Sequence, residues 1–423
     1  MLIFENKEQK LINILKFVGS PFKKFVSTGE IKEDADLVPS RKDFLEKIVS
    51  TIKDDNNFIL PIIGKVGVGK THLFWALKNI LHNYNTVYVS LETVYKKFYY
   101  RTYSEFIECM AVKIGDKVES EDRIEPLRNM TKQLCNEWGA KQRKYGFFQI
   151  ADLDKIKEIA LKKWGDKYEN KDALNDIITA IIAHQLEPYK KHEAERWLMG
   201  ELMDVRDLSR LNLKHDLRKR SHAFTMLKVF IEHSIKKSLL FLDDFEKIIP
   251  LQKTIYESTE KAEDIEEVFD PRWFGTKKAP EEYSAEKTLD KVFKLHDING
   301  LKMIITLKSI EHLEELKKKI REKNDQHLIK LKDPLVISDF EEDDVYQFYN
   351  ENMELFFTNI EYKEYSKLFP KSYFPLNKSV LKSIFQQANG NPREVVKLLN
   401  KLFNEIIGSN EKLEEILEKF QSA

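Results

Sequence analysis

Gly64, Gly67, Gly69, Lys70 and Thr71 stand together in GKVGVGKT, although the 423-residue chain holds only 14 glycines. The segment fits the phosphate-binding pattern G-x-x-x-x-G-K-[ST]. Glycines open main-chain conformations closed to residues with a Cβ, so successive N–H groups can converge on phosphate oxygens at a helix N-terminus. Lys70 then supplies a cation for the β- and γ-phosphates, and the Thr71 hydroxyl supplies a ligand for Mg²⁺. Lys65, Val66 and Val68 complete the wrap, with His72 beside it and packing on the following helix. A second candidate is LLFLDD, Leu239–Asp244. Four apolar residues deliver Asp243 to a strand end, where a carboxylate can bind Mg²⁺ directly or through water. Asp244 follows, placed to orient or deprotonate an attacking water, with Glu246 as an alternative. Thr306, in MIITLKS, can set a hydroxyl between the acidic strand and a γ-phosphate, and Ser309 is a second choice. In ANGNPREVVKLLNKL, Gly390 and Pro392 frame a helix start and put Arg393 in its first turn. The positive end of a helix disfavours a cation there, so the placement points to an anionic partner.

These groups need elements to hold them. NNFILPII, from Asn56, is an apolar run of strand length, and THLFWALKNIL, from Thr71, has helical spacing, so the glycines join strand to helix. Further strands are expected at TVYVSLE from Thr86, with Tyr88 and Ser90 on one face, at SLLFLDDFE from Ser238, at LKMIITLKS from Leu301 and at LIKLKDPLVIS from Leu328. Strands alternating with helices predict an α/β fold with a mainly parallel sheet. Residues from about Tyr95 to Ser234 read as almost wholly helical, far more than a parallel crossover needs. The expected organisation is an N-terminal helical segment (1–36), a core in two parts (37–94 and 221–337), a helical insertion (95–220) and a C-terminal helical lid (338–423). The acidic segment Tyr256–Asp270 is expected to be an exposed, mobile loop.

Lys and Arg total 70 and Asp and Glu total 70, so the net charge is zero. Binding to a polyanion through bulk charge is excluded, and any such site must be local. At 42% hydrophobic the chain can bury a core. Two cysteines, Cys109 and Cys135, exclude a disulfide scaffold and suggest a reducing compartment. No apolar run approaches membrane-span length, and Glu5 and Glu8 stand where a signal peptide is basic, so a cytoplasmic location without membrane attachment is expected. Arg206, Arg210, Lys214 and Arg218 recur at i, i+4 and on one continuous helix would form a basic stripe, extended by Lys219 and Arg220. Double-stranded DNA would suit such a stripe. Asp204, Asp207 and Asp216 dilute it, and one of these arginines could instead approach a neighbouring subunit's nucleotide. His184, His192, His215 and His222 show no acids at ligand spacing, so zinc is not indicated.

In order, GKVGVGKT, LLFLDDFE, MIITLKS and GNPRE resemble the Walker A, Walker B, sensor 1 and sensor 2 elements of AAA+ P-loop ATPases. The likeness is greatest to the origin-recognition/cell-division-cycle initiator clade and to the related STAND ATPases. LVPSRKDFLEKI, from Leu37, is similar to the arginine-containing helix before the core in that clade, and LKDPLVISDFEEDDVYQFY, from Leu331, to its last strand running into the lid. The resemblance implies ATP and Mg²⁺ as cofactors, with Lys70 and Thr71 on phosphate and metal and Asp243 on the metal. It implies Asp244 in the position often filled by Glu, and Arg393 sensing the γ-phosphate. Asp in place of Glu shortens the reach to water and implies slow turnover. An arginine finger would fall to Arg321, although STAND relatives can lack one. The insertion exceeds that clade's usual extra helix, and its end, from Glu195, is similar to ATP-binding proteins of BREX-type phage-exclusion systems. The expectation is an ATP-hydrolysing switch in replication initiation, a mobile element or genome defence, with a homo-oligomer among its partners. The alternative is a signalling or scaffold ATPase whose insertion binds a protein.

Overall fold

Apolar runs rich in Ile, Leu, Val and Phe form a five-stranded, all-parallel sheet whose inner strands are buried on both faces, as parallel sheets require. The computed structural model describes residues 2–22, 39–53, 57–92, 97–109, 125–140, 143–145, 148–150, 152–249, 280–323, 326–360 and 373–422. Helices α1 (Leu2–Val18) and α2 (Pro39–Ile52) precede strand β1 (Ile59–Ile63), α3 (Lys70–Ile80) and β2 (Tyr84–Ser90). There follow α4 (Phe98–Cys109), α5 (Glu125–Glu137), the short strands β3 (Arg143–Tyr145) and β4 (Phe148–Ile150), and α6 (Leu153–Trp164). After these come α7 (Lys171–Leu186), α8 (Lys191–Leu198), α9 (Val205–Leu211) and α10 (Arg220–His233). The chain continues through β5 (Lys237–Asp243), α11 (Pro280–His296), β6 (Leu301–Leu307), α12 (Ile310–Lys323), α13 (Gln326–Ile329) and β7 (Leu335–Val336). It closes with α14 (Glu342–Asn359), α15 (Lys378–Ala388), α16 (Pro392–Gly408) and α17 (Leu413–Ser422).

The sheet order is β2-β5-β6-β1-β7. Tyr84 through Ser90 pair in register with Lys237 through Asp243, which sets Ser90 beside Asp243. Ser238 through Leu242 pair with Leu301 through Ile305. The last strand is shorter than its sequence suggests. Lys332 N–H bonds Ile59 O, but Pro334 has no N–H to offer, and regular pairing resumes only at Leu335 and Val336. The expectation of an almost wholly helical stretch is corrected at β3 and β4, which pair antiparallel as a small hairpin. The acidic segment Tyr256–Asp270 lies outside the described residues.

The chain divides into two compact units, and the boundary cuts β1 between Pro61 and Ile62. The first comprises Met1–Asp55, Ile62–Ile80 and Leu335–Ala423. Its C-terminal helices share one core, which includes Tyr349, Leu381, Leu399 and Phe403. Leu11 and Leu15 of α1, with Phe22, are part of that core. The N-terminal helix thus packs with the C-terminal ones, and the Phe22 ring meets Phe403 edge-on at 5.1 Å.

The second unit comprises Asn56–Pro61 and Leu81–Pro334. Its helical part is built round α7, which is apolar on nearly every side and packs against α5, α6, α8 and α10. Trp138 and Trp164 meet edge-to-face at 4.9 Å, and the Trp197 indole donates to His215 O. Two histidines without acids at ligand spacing in the sequence pair with acids in space. His222 and Asp176 pair at 3.0 Å with both side chains fully buried, and His184 bonds Glu195 at 3.2 Å. Burial keeps His184 below the usual imidazole range despite Glu195, so it is neutral at pH 7. The Cys135 thiol is likewise buried and pushed up to about 12, and half-buried Cys109 donates to Thr86 O.

Candidate functional site

The first unit holds the glycine-rich loop expected to bind phosphate. The chain leaves β1 at Ile63, turns through Gly64–Gly69 and enters α3 at Lys70, so the first N–H groups of that helix open the loop's concave side. Gly67 and Gly69 have φ of +88° and +101°, the left-handed region that glycine tolerates. A Cβ on Gly67 would also lie 2.5 Å from Asn391 Oδ1 and 2.9 Å from Arg393 Cβ, whereas one on Gly69 would meet nothing. Gly64 has a different reason. Its Cβ would fall 2.3 Å from the Ile337 side chain. The Lys70 ammonium donates to Gly64 O at 2.5 Å and to Lys65 O at 3.1 Å, which holds its charge against the loop.

Two distant segments grip the loop through three of its carbonyls. Arg41 of α2 donates to Val68 O at 3.3 Å and to Ser338 O at 2.5 Å, and lies over the Phe340 ring. Asn391, the N-cap of α16, accepts from the N–H groups of Arg393 and Glu394 through Oδ1 and donates through Nδ2 to Val66 O at 2.9 Å. The Arg393 N–H bonds Gly67 O at 3.1 Å. The Arg393 side chain is exposed and forms no ion pair among the described residues. Val66 is exposed, Val68 is buried, and Lys65 pairs with Asp339 at 3.2 Å. His72 lies just past the loop. Desolvation, then the Arg41 charge, hold its pKa below the usual range, so the imidazole is neutral at pH 7. Ser40, beside Arg41, donates to the buried Asp344 carboxylate, which in turn accepts from the Glu341 N–H at the start of α14.

The second unit holds the acids. Asp243 ends β5 almost fully buried, and each of its oxygens is engaged. Tyr88 OH donates to Oδ2 at 2.9 Å, and the Thr306 hydroxyl and the Asp244 N–H donate to Oδ1. Asp244 sits at φ +55°, uncommon outside glycine and best tolerated by Asn and Asp. That turn swings its carboxylate to the Ser90 hydroxyl at 3.2 Å. Burial, then the Asp243 charge, raise the Asp244 pKa above the usual carboxylate range, while Ser90 opposes the rise. A proton acceptor beside a second carboxylate is what base chemistry on water needs.

Of the alternatives, Glu246 is tied to Lys308 at 3.2 Å, and Ser309 bonds His312 in the first turn of α12. Of Thr306 and Ser309, Thr306 is therefore the hydroxyl that meets the acids. Arg321 lies exposed in the last turn of α12. Among the described residues no three His, Cys, Asp or Glu side chains cluster as a metal site.

The basic stripe needs correction. Asn212, at φ +57°, ends α9 after Leu211, and α10 begins only at Arg220, so Arg206, Arg210, Lys214 and Arg218 do not share a helix. Arg210 pairs with Glu193 at 2.7 Å, Lys214 with Asp172 at 2.8 Å and Arg218 with Asp216 at 2.5 Å. Sequence reasoning did not name Arg41, Asn391, Tyr88 and Ser90 as site residues, although Tyr88 and Ser90 shared a strand face and Arg41 is the arginine of the helix that resembles the one before the core in the initiator clade.

Neither a known protein family nor any curated protein matches the chain. Among the described residues, no helix is long and apolar enough to cross a membrane.

Proposed function

We propose that the chain is a Mg²⁺-dependent ATPase of AAA+/STAND type that works as a nucleotide-controlled switch. The observation that carries this is the phosphate loop itself: two positive-φ glycines at the mouth of an eleven-residue helix, with the lysine ammonium drawn against the loop. Sheet topology supports it. From β1 the chain crosses to β2 on one side, while from β6, its neighbour, it crosses to β7 on the other. Ligands of open parallel sheets bind outside the carboxyl ends of strands at such reversals.

In this reading the loop N–H groups and Lys70 bind the phosphates and Thr71 offers the metal its hydroxyl, and the resemblance implies Asp243 as a metal ligand. The metal would neutralise charge on the β- and γ-phosphates. Thr306 and Tyr88 fix the Asp243 carboxylate through their hydroxyls. Asp244 accepts a proton from water as the water oxygen bonds to the γ-phosphorus and the bond to the ADP oxygen breaks. Arg393, at the start of a helix tied to the loop, is available to the γ-phosphate. The grip of Asn391 and Arg393 on the loop supports a switch, because movement of the loop is passed to α16 through two hydrogen bonds. A DNA-linked role is not favoured by the paired residues of the former stripe. The test is equilibrium titration with a fluorescent ATP analogue, with Mg²⁺ or with EDTA. The expected result is saturable binding that is strengthened by Mg²⁺ and lost in Lys70→Ala. Equal binding in Lys70→Ala would refute it.

A further inference from the structure

The basic run divides in two. Arg210, Lys214 and Arg218 are held by acids, but Arg206, Lys219 and Arg220 form no ion pair among the described residues. Lys219 and Arg220 begin the fourteen-residue α10, whose N-cap, Lys219, makes no side-chain hydrogen bond and whose first turn holds no acid. Both line a cleft of about 670 Å³ in the second unit, between the start of α4, the turn before α7, α10 and the end of α11. That volume lies within the range of small-molecule sites, roughly 300 to 1,000 Å³.

The charge in this cleft is held in an unusual way. Arg220 lies over the Tyr99 ring at 5.9 Å, Lys228 over Tyr168 at 5.0 Å and Lys294 over Phe224 at 4.9 Å. Aromatic faces position a cation without consuming its N–H donors, but Lys228 also donates to Lys167 O at 2.7 Å and Lys294 pairs with Glu169, which leaves Arg220 and Lys219 as the cations for a ligand. The acids of the cleft are already engaged: Glu169 with Lys294 at 2.6 Å, and Asp297 with Lys330 at 3.8 Å. Positive charge accumulates nearby. After desolvation, Arg220 and Lys287 are what hold the Lys291 pKa below its usual range.

Tyr99 is a second, independent sign. It is 3% exposed, it lines the cleft, and its hydroxyl has no hydrogen-bond partner. Buried hydroxyls normally have one. Burial pushes its pKa up to about 12, and Arg220 is near enough to oppose that rise electrostatically without a hydrogen bond of acceptable geometry. The group is therefore an O–H donor throughout the physiological range.

We propose that this cleft is a second anion site, distinct from the phosphate loop, which binds the phosphate of a nucleotide-sized group through Lys219, Arg220, the first N–H groups of α10 and the Tyr99 hydroxyl. The phosphate belongs either to a free nucleotide or to a nucleic-acid strand. The proposal does not depend on the ATPase reading.

The experiment is calorimetric titration of full-length Lys70→Ala, in which the phosphate loop has lost its cation. The probes are inorganic pyrophosphate, AMP and a single-stranded oligonucleotide, each at fixed salt. Saturable binding is expected, weakened about tenfold or more by Arg220→Glu and about threefold by Tyr99→Phe, with the Tyr99→Phe melting curve unchanged. Binding of pyrophosphate or AMP assigns a free nucleotide, and binding of the oligonucleotide alone assigns a nucleic-acid phosphate. Absence of saturable binding for all three probes, or binding indifferent to both substitutions, overturns the proposal.

Discussion

Around the glycine-rich loop, three hydrogen bonds from distant chain end on backbone carbonyls: Arg41 on Val68, Asn391 on Val66 and the Arg393 N–H on Gly67. Around Asp243 they end on a carboxylate, and they come from the hydroxyls of Tyr88 and Thr306. The loop is thus shaped by main-chain conformation and clamped from outside. The acids are shaped by individual side chains on neighbouring strands. Substitutions should separate the two. In the loop, adding a Cβ should matter most, and at the acids, removing one oxygen should.

The largest effect on folding is expected at Gly67→Ala, where a forbidden φ coincides with the clash against Asn391 and Arg393. A loss of about 2–4 kcal/mol should appear in chemical denaturation, against about 1 kcal/mol at Gly69→Ala, where only φ opposes the methyl. Equal losses at the two positions would break the picture of a loop clamped by α16. Next comes Thr306→Val, which keeps shape and removes the hydroxyl that meets Asp243. Hydrogen bonds to charged groups contribute roughly 1.5–3 kcal/mol, so kcat should fall about 10- to 100-fold with KM little changed, as steady-state kinetics would register.

Asn391→Ala sharpens the same contrast at smaller scale. It removes a helix cap and the tie to Val66 together, for a loss of about 1 kcal/mol in stability and weaker nucleotide binding in titration. Asp244 gives the smallest stability effect and the most specific sign. Its folded pKa is raised, so its contribution to stability is fully present below the unfolded carboxylate pKa and is lost as pH rises through the folded value. Asp244→Asn keeps a residue suited to positive φ. It should therefore melt slightly higher than the wild type at neutral pH, and the gain should vanish in acid. Because Ser90 opposes the rise, Ser90→Ala should move the acidic limb of the pH–rate profile to higher pH.

Legibility followed the same division. The loop could be read because its glycines, lysine and threonine are contiguous, and Asp243 because an apolar strand leads straight to it. Arg41 was marked only by the resemblance of its helix, and its contacts were not legible, since its partners lie 27 and 297 residues away and no local pattern ties an arginine on α2 to a carbonyl. Tyr88 and Ser90 were on one face of an expected strand, but only the β2–β5 register turns that face into partners for Asp243 and Asp244. The basic stripe misled because i, i+4 spacing has meaning only on an unbroken helix, and Asn212 adopts the left-handed conformation that ends one. Two buried histidine–acid pairs were hidden because Asp176 and Glu195 reach His222 and His184 across helices.

The most direct test is steady-state ATP hydrolysis with Mg²⁺, run beside nucleotide binding on the wild type, Lys70→Ala and Asp244→Asn. The account predicts that Asp244→Asn binds ATP as the wild type does while turnover falls at least about 100-fold, and that Lys70→Ala loses both. Wild-type turnover in Asp244→Asn, or undiminished binding in Lys70→Ala, would contradict the claim that the loop holds the nucleotide and the acids act on it.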